Sequence, residues 1–233
     1  MTSQTDMLDD FTRREITLNQ ITKTVLVAGF GPGVVVLAEK PEVSLHVVRF
    51  ARWMKDAGFR VYLPSLFGCD DRENVLQHAC VSAEFRALVA DKTSPVTRWL
   101  RALAQLAHEE CDGPGVGTIG MCFAGNFALG MVLEPSMLAL DLGQPDALKS
   151  PLENLDLLAY RFADDTFCQA QRFAAYREAQ EERFVGQDLP DAATNNETPA
   201  FTKTFIATHL IDAMNQPTMT ARDEIIAFFK QGL

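Results

Sequence analysis

The stretch Gly115-Val-Gly-Thr-Ile-Gly-Met-Cys-Phe-Ala-Gly125 predicts a short strand that turns sharply into a helix. Its first half is β-branched, and the residues from Phe127 to Leu133 are mostly apolar and helix-like. A nucleophile held in such a turn needs small neighbours, because backbone passes close beside it. The amides at the helix N-terminus then face the negative charge that develops during reaction. The nucleophile of this turn would be Cys122.

A glycine two positions before a nucleophile, in a strand-turn-helix context, is typical of α/β-hydrolases. Two other interpretations compete. Gly115-x-Gly117-x-x-Gly120 matches a dinucleotide fingerprint, but that fingerprint must follow a strand. Residues 109–114 are too polar and too rich in turn formers for a buried strand, which excludes the nucleotide site. The second alternative, that Cys122 is an unreactive buried thiol, stays open.

Composition limits the classes of partner. The chain has 233 residues, 47% of them hydrophobic, and a net charge of −10, which argues against nucleic acid or anionic membrane as a partner. Five cysteines at no metal-like spacing predict neither disulfides nor a metal site. The N-terminus lacks the apolar core of a signal peptide, and no apolar run approaches the ~20 residues that span a bilayer. We therefore expect a soluble cytoplasmic protein.

The order of elements predicts one α/β domain over residues 24–233, after an N-terminal arm or short edge strand over residues 1–23. Apolar runs alternate with amphipathic helices, which favours a mostly parallel central sheet flanked by helices on both faces. The predicted helices include Leu45 to Ala57, capped by Ser44, and the terminal helix Thr220 to Gly232.

Two further turns follow predicted strands. Asp165 comes just after the strand Leu155 to Phe162, where α/β-hydrolases hold the acid of their catalytic triad. We prefer it to Asp164; the alternative is that the aspartate caps the helix Ala170 to Gln180. The loop after the Val34–Ala38 strand would supply an oxyanion amide from Lys40, beside one from Phe123.

From Val25 to Leu233 the sequence resembles the dienelactone hydrolases. The segments that carry this resemblance are Val34-Val-Val-Leu-Ala-Glu39, Ala57-Gly-Phe-Arg-Val-Tyr-Leu-Pro64, Ile119-Gly-Met-Cys-Phe-Ala-Gly125, Arg161-Phe-Ala-Asp-Asp-Thr-Phe-Cys168 and the tail from Thr208. The resemblance implies an α/β-hydrolase fold and a Cys-Asp-His triad that includes Cys122 and Asp165. It also implies that Glu39 contacts the resting thiol and swings away when substrate arrives.

The histidine of the triad is the uncertain member. His209 is the only histidine after the acid, where the hydrolase order requires the base. The family's usual base position, however, falls near Lys203-Thr204, and His209 matches a second family histidine. A histidine so late in the chain could equally be a surface loop residue.

The resemblance implies hydrolysis of a small ester or lactone through a covalent thioester, without a metal or cofactor. The alternative is a catalytically silent hydrolase-fold protein that keeps its pocket for binding or assembly. Dienelactone-type pockets hold a substrate carboxylate with arginines, and Arg49, Arg72 and Arg86 are equal candidates. The sequence leaves the substrate and the oligomeric state open.

Overall fold

The computed structural model describes residues 8–38, 43–66, 95–121, 124–131, 137–142, 155–165, 168, 170–195 and 205–233. Its strands are β1 (Thr12–Leu18), β2 (Ile21–Ala28), β3 (Gly33–Leu37), β4 (Arg60–Pro64), β5 (Val116–Gly120), β6 (Met137–Leu142), β7 (Asp156–Phe162) and β8 (Phe184–Leu189). Its α-helices are α1 (Leu45–Asp56), α2 (Pro95–Glu110), α3 (Ala124–Met131), α4 (Ala170–Gln180) and α5 (Pro217–Gly232). Three single-turn 3-10 helices cover Glu181–Arg183, Asp191–Ala193 and Ala207–His209.

The strands form one sheet in the order β1-β2-β4-β3-β5-β6-β7-β8. From β4 to β8 neighbouring strands are parallel, whereas β2 is antiparallel to both β1 and β4. Within the predicted arm or edge strand of residues 1–23, residues 12–18 form the edge strand β1, and β2 already begins at Ile21. The sheet is therefore mostly parallel, with an antiparallel pair at one edge.

Helices cover both faces of the sheet, as its alternating side chains require. In β3, Val34 and Val36 belong to a core with residues of α1 and α5, while Val35 and Leu37 belong to a core with residues of α2, α3 and α4. All four of these side chains are buried. A strand buried on both faces reads as a continuous apolar run, which is why β3 could be predicted from its sequence alone.

Local signals set the helix ends. The Val47 N–H donates to the Ser44 hydroxyl at 3.3 Å, which caps α1, and Gly58 follows the helix with a φ of +101°. Helix α5 begins at Pro217, three residues before the predicted start, because proline suits the first helical turn. Within the described part of the chain, no helix is long and apolar enough to cross a membrane.

Candidate active site at the carboxyl end of the sheet

The described residues on either side of the predicted nucleophile turn lie close together. Gly120 is paired with Leu37 of β3, and the Met121 N–H donates to the Leu37 carbonyl at 3.3 Å. The Ala124 N–H, at the start of α3, donates back to the Met121 carbonyl at 3.1 Å. The carboxyl end of a central strand and the N-terminus of a helix are therefore joined by a backbone hydrogen bond.

Close packing explains the glycine that ends β5. A Cβ on Gly120 would lie 2.7 Å from the Gly125 Cα, 2.7 Å from the Ala128 Cβ and 2.8 Å from the Ala124 carbonyl oxygen. Side chains do not tolerate contacts this short with backbone, so only glycine fits here. The requirement for small residues, inferred from the chemistry of a nucleophile turn, has a direct steric cause.

Four of the predicted site residues lie outside the described part of the chain: Cys122, Phe123, Glu39 and Lys40. The same holds for Lys203, the rival of His209. Ala38 and Met121, the described residues just before Glu39 and Cys122, are 5% and 4% exposed. They follow the adjacent parallel strands β3 and β5.

Asp165 is a buried residue of the turn that follows β7. Its N–H donates to the Phe162 carbonyl at 3.0 Å, and its Oδ1 accepts from the Cys168 N–H at 2.9 Å. Asp165 is 4% exposed, whereas Asp164 is exposed to solvent. The Cys168 amide lies two residues before α4, so this bond ties Asp165 to the segment that leads into the helix. Burial of a carboxylate at a strand end favours Asp165 over its neighbour as the triad acid.

A buried arginine, which the sequence analysis missed, holds the same turn. Arg161 is 6% exposed and donates to the Cys168 carbonyl at 2.7 Å and to the Ala163 carbonyl at 3.2 Å. It also forms an ion pair with Asp188 of β8. The two carbonyls lie on either side of Asp165, so one guanidinium fixes both ends of the turn. The signal that could have found it is a charged residue inside an apolar strand.

His209 is buried beside the end of β7. It lies in the 3-10 helix Ala207–His209 and is 1% exposed, so it is not a surface loop residue. Its ring packs edge-on against that of Phe162, with the ring centres 6.3 Å apart. Phe162 is the last residue of β7, three positions before Asp165. The tail of the chain therefore brings a histidine to the strand end that leads to the candidate acid.

The remaining histidines lie in helices or outside the described residues. His46 is in α1. His108 is near the end of α2 that leads into the start of β5, at the amino end of the parallel strands. His78 is outside the described part. Among the candidate arginines, Arg49 donates to backbone carbonyls next to His209, while Arg72 and Arg86 are also outside it.

A charged cluster with shifted pKa values lies near the amino end of the parallel strands. Arg14 forms two hydrogen bonds with the Glu110 carboxylate, at 2.6 and 2.7 Å, and holds its pKa below the ordinary value. The Tyr62 hydroxyl donates to the same carboxylate at 2.9 Å. Burial raises the pKa of the nearby Cys111 thiol, so this cysteine is a poor nucleophile. Within the described residues, no group of His, Cys, Asp and Glu could hold a metal ion.

Comparison with known protein families relates the chain to one family. The model of the dienelactone hydrolase family matches residues 23–140, about half of the chain. None of the curated proteins matches the sequence.

Solved structures resemble the chain over nearly its whole length. A candidate dienelactone hydrolase from Klebsiella pneumoniae is 16% identical, with a TM-score of 0.69 over 95% of this chain and 98% of that one. A dienelactone hydrolase from Anabaena variabilis is 14% identical, with a TM-score of 0.67 over 96% and 99%. A dienelactone hydrolase-like promiscuous phosphotriesterase from metagenomic libraries is 17% identical, with a TM-score of 0.65 over 94% and 98%. At these identities the structures establish the fold, which is that of the α/β-hydrolases.

Proposed function

Because the chain belongs to the dienelactone hydrolase family, we propose that it hydrolyses a small ester or lactone with Cys122 as nucleophile. In this proposal Asp165 is the triad acid and His209 is the general base. The observation that carries the proposal is the burial of both Asp165 and His209 beside the end of β7. A hydrolytic triad consists of a nucleophile, an imidazole and a carboxylate. Asp165 and His209 would supply the carboxylate and the imidazole, at the carboxyl end of the sheet where β5 also ends.

The spacing of the strands supports the same assignment. Only β6 separates β5 from β7 in the sheet, so their ends lie about 10 Å apart at the usual strand spacing. Cys122 follows β5 by two residues, and Asp165 follows β7 by three. A gap of this size suits a nucleophile and an acid that are bridged by one imidazole.

The proposed chemistry has two half-reactions. His209 takes the proton of the Cys122 thiol, because a free thiol with a pKa of about 8.5 is mostly neutral at pH 7. The thiolate attacks the ester carbonyl, and the N–H groups of Phe123 and Lys40 stabilise the oxyanion, an effect of about 3 kcal/mol per donor. The intermediate collapses, the C–O bond breaks, and the alcohol leaves with the proton from His209.

Water completes the cycle. His209 takes a proton from a water molecule that attacks the thioester, the C–S bond breaks, and the acid leaves as the thiol re-forms. Asp165 orients the imidazole and stabilises its charged form. In the resting enzyme Glu39 would contact the thiol, as the family resemblance implies. No step requires a metal or cofactor.

Turnover of p-nitrophenyl acetate by wild type and variants tests the base. We expect His209→Ala to lower kcat by at least about 1,000-fold, because the thiol loses its proton acceptor. Lys203→Ala serves as the control and should retain wild-type activity. A lysine opposite Asp165 would form an ion pair and stay protonated, and the protein would then be nearly silent.

Two results would contradict the assignment. Substantial wild-type turnover that survives His209→Ala would exclude His209 as the base. Negligible wild-type turnover that rises in Lys203→His would instead identify a hydrolase-fold protein that has lost its catalytic base.

A further inference from the structure

Arg49 of α1 contacts the backbone on either side of His209. Its Nη2 donates to the Leu210 carbonyl at 2.9 Å, and the Ala207 carbonyl lies 3.5 Å from the same atom. His209 is between these two residues in the chain. The guanidinium thus contacts the carbonyls of the 3-10 helix that carries the candidate base and of the residue that follows it.

The guanidinium has little freedom to move. Its Cζ lies 5.0 Å from the centre of the Trp53 ring, and the Cζ of Arg222 lies 5.1 Å from the same centre. The Nε of Arg49 is buried and has no hydrogen-bond partner among the described residues. A planar cation stacked on an aromatic ring keeps its orientation better than a lysine ammonium.

Two hydrogen bonds between neutral groups also hold this segment. The Asn195 N–H donates to the His209 carbonyl at 3.2 Å, and the Ile211 N–H donates to the Thr218 hydroxyl at 3.2 Å. Arg49 adds hydrogen bonds from a charged donor to the same backbone. Hydrogen bonds from a charged donor are stronger than neutral ones.

We propose that Arg49 is a positioning residue that sets the place of the His209 imidazole relative to the Asp165 turn. This inference rests on the proposed function, in which His209 is the general base. Arg49 touches neither substrate nor reacting atoms in this role. It acts by fixing the carbonyls of Ala207 and Leu210, and therefore the ring between them. The other interpretation, an arginine that binds a substrate carboxylate, does not use these carbonyl contacts.

Steady-state kinetics on Arg49→Met, Arg49→Lys and Arg222→Met test this role. Arg222→Met is the matched control, because it removes a guanidinium from the same Trp53 ring without touching the His209 segment. We expect Arg49→Met to lower kcat for p-nitrophenyl acetate by about 10- to 100-fold, because a small displacement of a catalytic group has effects of this size. KM should stay within about twofold, as expected when only transition-state interactions are lost. Arg222→Met should match wild type, and Arg49→Lys should fall between.

Alkylation of Cys122 by iodoacetamide at neutral pH provides a second measurement. A displaced imidazole takes the thiol proton less well, so Arg49→Met should slow this reaction together with kcat. A residue that only stabilises the fold would leave both rates unchanged in the folded protein. If Arg49→Met does not fold, Arg49→Lys decides, and wild-type kcat in that variant would overturn the proposal.

The outcomes separate this inference from the proposed function. If His209→Ala is inactive but Arg49→Met behaves like Arg222→Met, only the role of Arg49 is wrong. A rise in KM at constant kcat would also overturn that role, since it indicates substrate binding. If His209→Ala keeps wild-type turnover, the proposed base is wrong whatever Arg49→Met does.

Discussion

Replacing Arg161 by methionine should destabilise the protein through the turn that carries Asp165. The substitution keeps most of the side chain's length and apolar contact but removes its charge and donors. Two bonds to carbonyls are lost, to Cys168 at 2.7 Å and to Ala163 at 3.2 Å, together with the ion pair to Asp188.

The size of the effect follows from where each partner lies. Hydrogen bonds from a charged donor contribute about 1.5–3 kcal/mol each. The Asp188 side chain is 49% exposed, so water replaces its partner, and the ion pair itself contributes at most about 1 kcal/mol. Partial rearrangement of the turn offsets some of the loss at the carbonyls. We therefore expect Arg161→Met to lower the free energy of unfolding by about 2–4 kcal/mol.

Urea unfolding followed by tryptophan fluorescence measures this change, with Asp188→Asn as the control. Asp188→Asn removes only the ion pair and should cost less than about 1 kcal/mol. Equal losses in the two variants would mean that the ion pair, and not the two carbonyl bonds, holds the turn. A loss below 1 kcal/mol in Arg161→Met would refute the reasoning altogether.

Three further outcomes follow from the structure. Asp165→Asn should reduce kcat by about 10,000-fold with little loss of stability, whereas the exposed Asp164→Asn should match wild type; the reverse pattern in esterase assays would shift the acid by one residue. Limited iodoacetamide labelling at neutral pH, mapped by mass spectrometry, should modify Cys122 before Cys111, because burial raises the pKa of Cys111; labelling of Cys111 with Cys122 untouched would indicate an inert Cys122. The hydrogen bond from the Arg14 guanidinium lowers the pKa of Glu110 from its ordinary value of 4.5. The ion pair therefore stabilises the fold fully above pH 4.5, and this stabilisation is lost as the pH falls through the lowered pKa of Glu110. Acid unfolding of Glu110→Gln should therefore depend less on pH below 4.5 than wild type does, and identical acid limbs would exclude this contribution.

Much of the fold could be predicted from local patterns, because each helix or strand depends largely on residues that are neighbours in the chain. Helix α4 has the predicted bounds, Ala170–Gln180, and strand β7 begins at Asp156, one residue after the predicted start, and ends at Phe162 as predicted. The strand-turn-helix around Gly120 also followed from sequence, since small residues in a tight turn leave a clear signature. The resemblance to the dienelactone hydrolase family is confirmed by the family match over residues 23–140.

The candidate site could be predicted only in part, since a triad joins residues from distant segments. The sequence favoured Asp165 over Asp164, but only the packing of the turn shows that the first is buried and the second exposed. His209 was an ambiguous late histidine until the fold brought its ring against Phe162. The roles assigned to Asp165 and His209 stay predictions, as do those of Cys122, Glu39, Lys40 and Phe123.

By itself, the sequence indicated most of the described strands and helices, the α/β-hydrolase fold and the small residues around Gly120. All of these depend on periodicity and on short-range steric limits. Only the tertiary structure decided that residues 12–18 join the sheet edge, and that Arg49 and Arg161 hold the backbone around His209 and Asp165. The physical reason is that hydrogen bonds between a side chain and a distant carbonyl leave no periodic trace in the sequence. Such contacts exist only once the chain has folded.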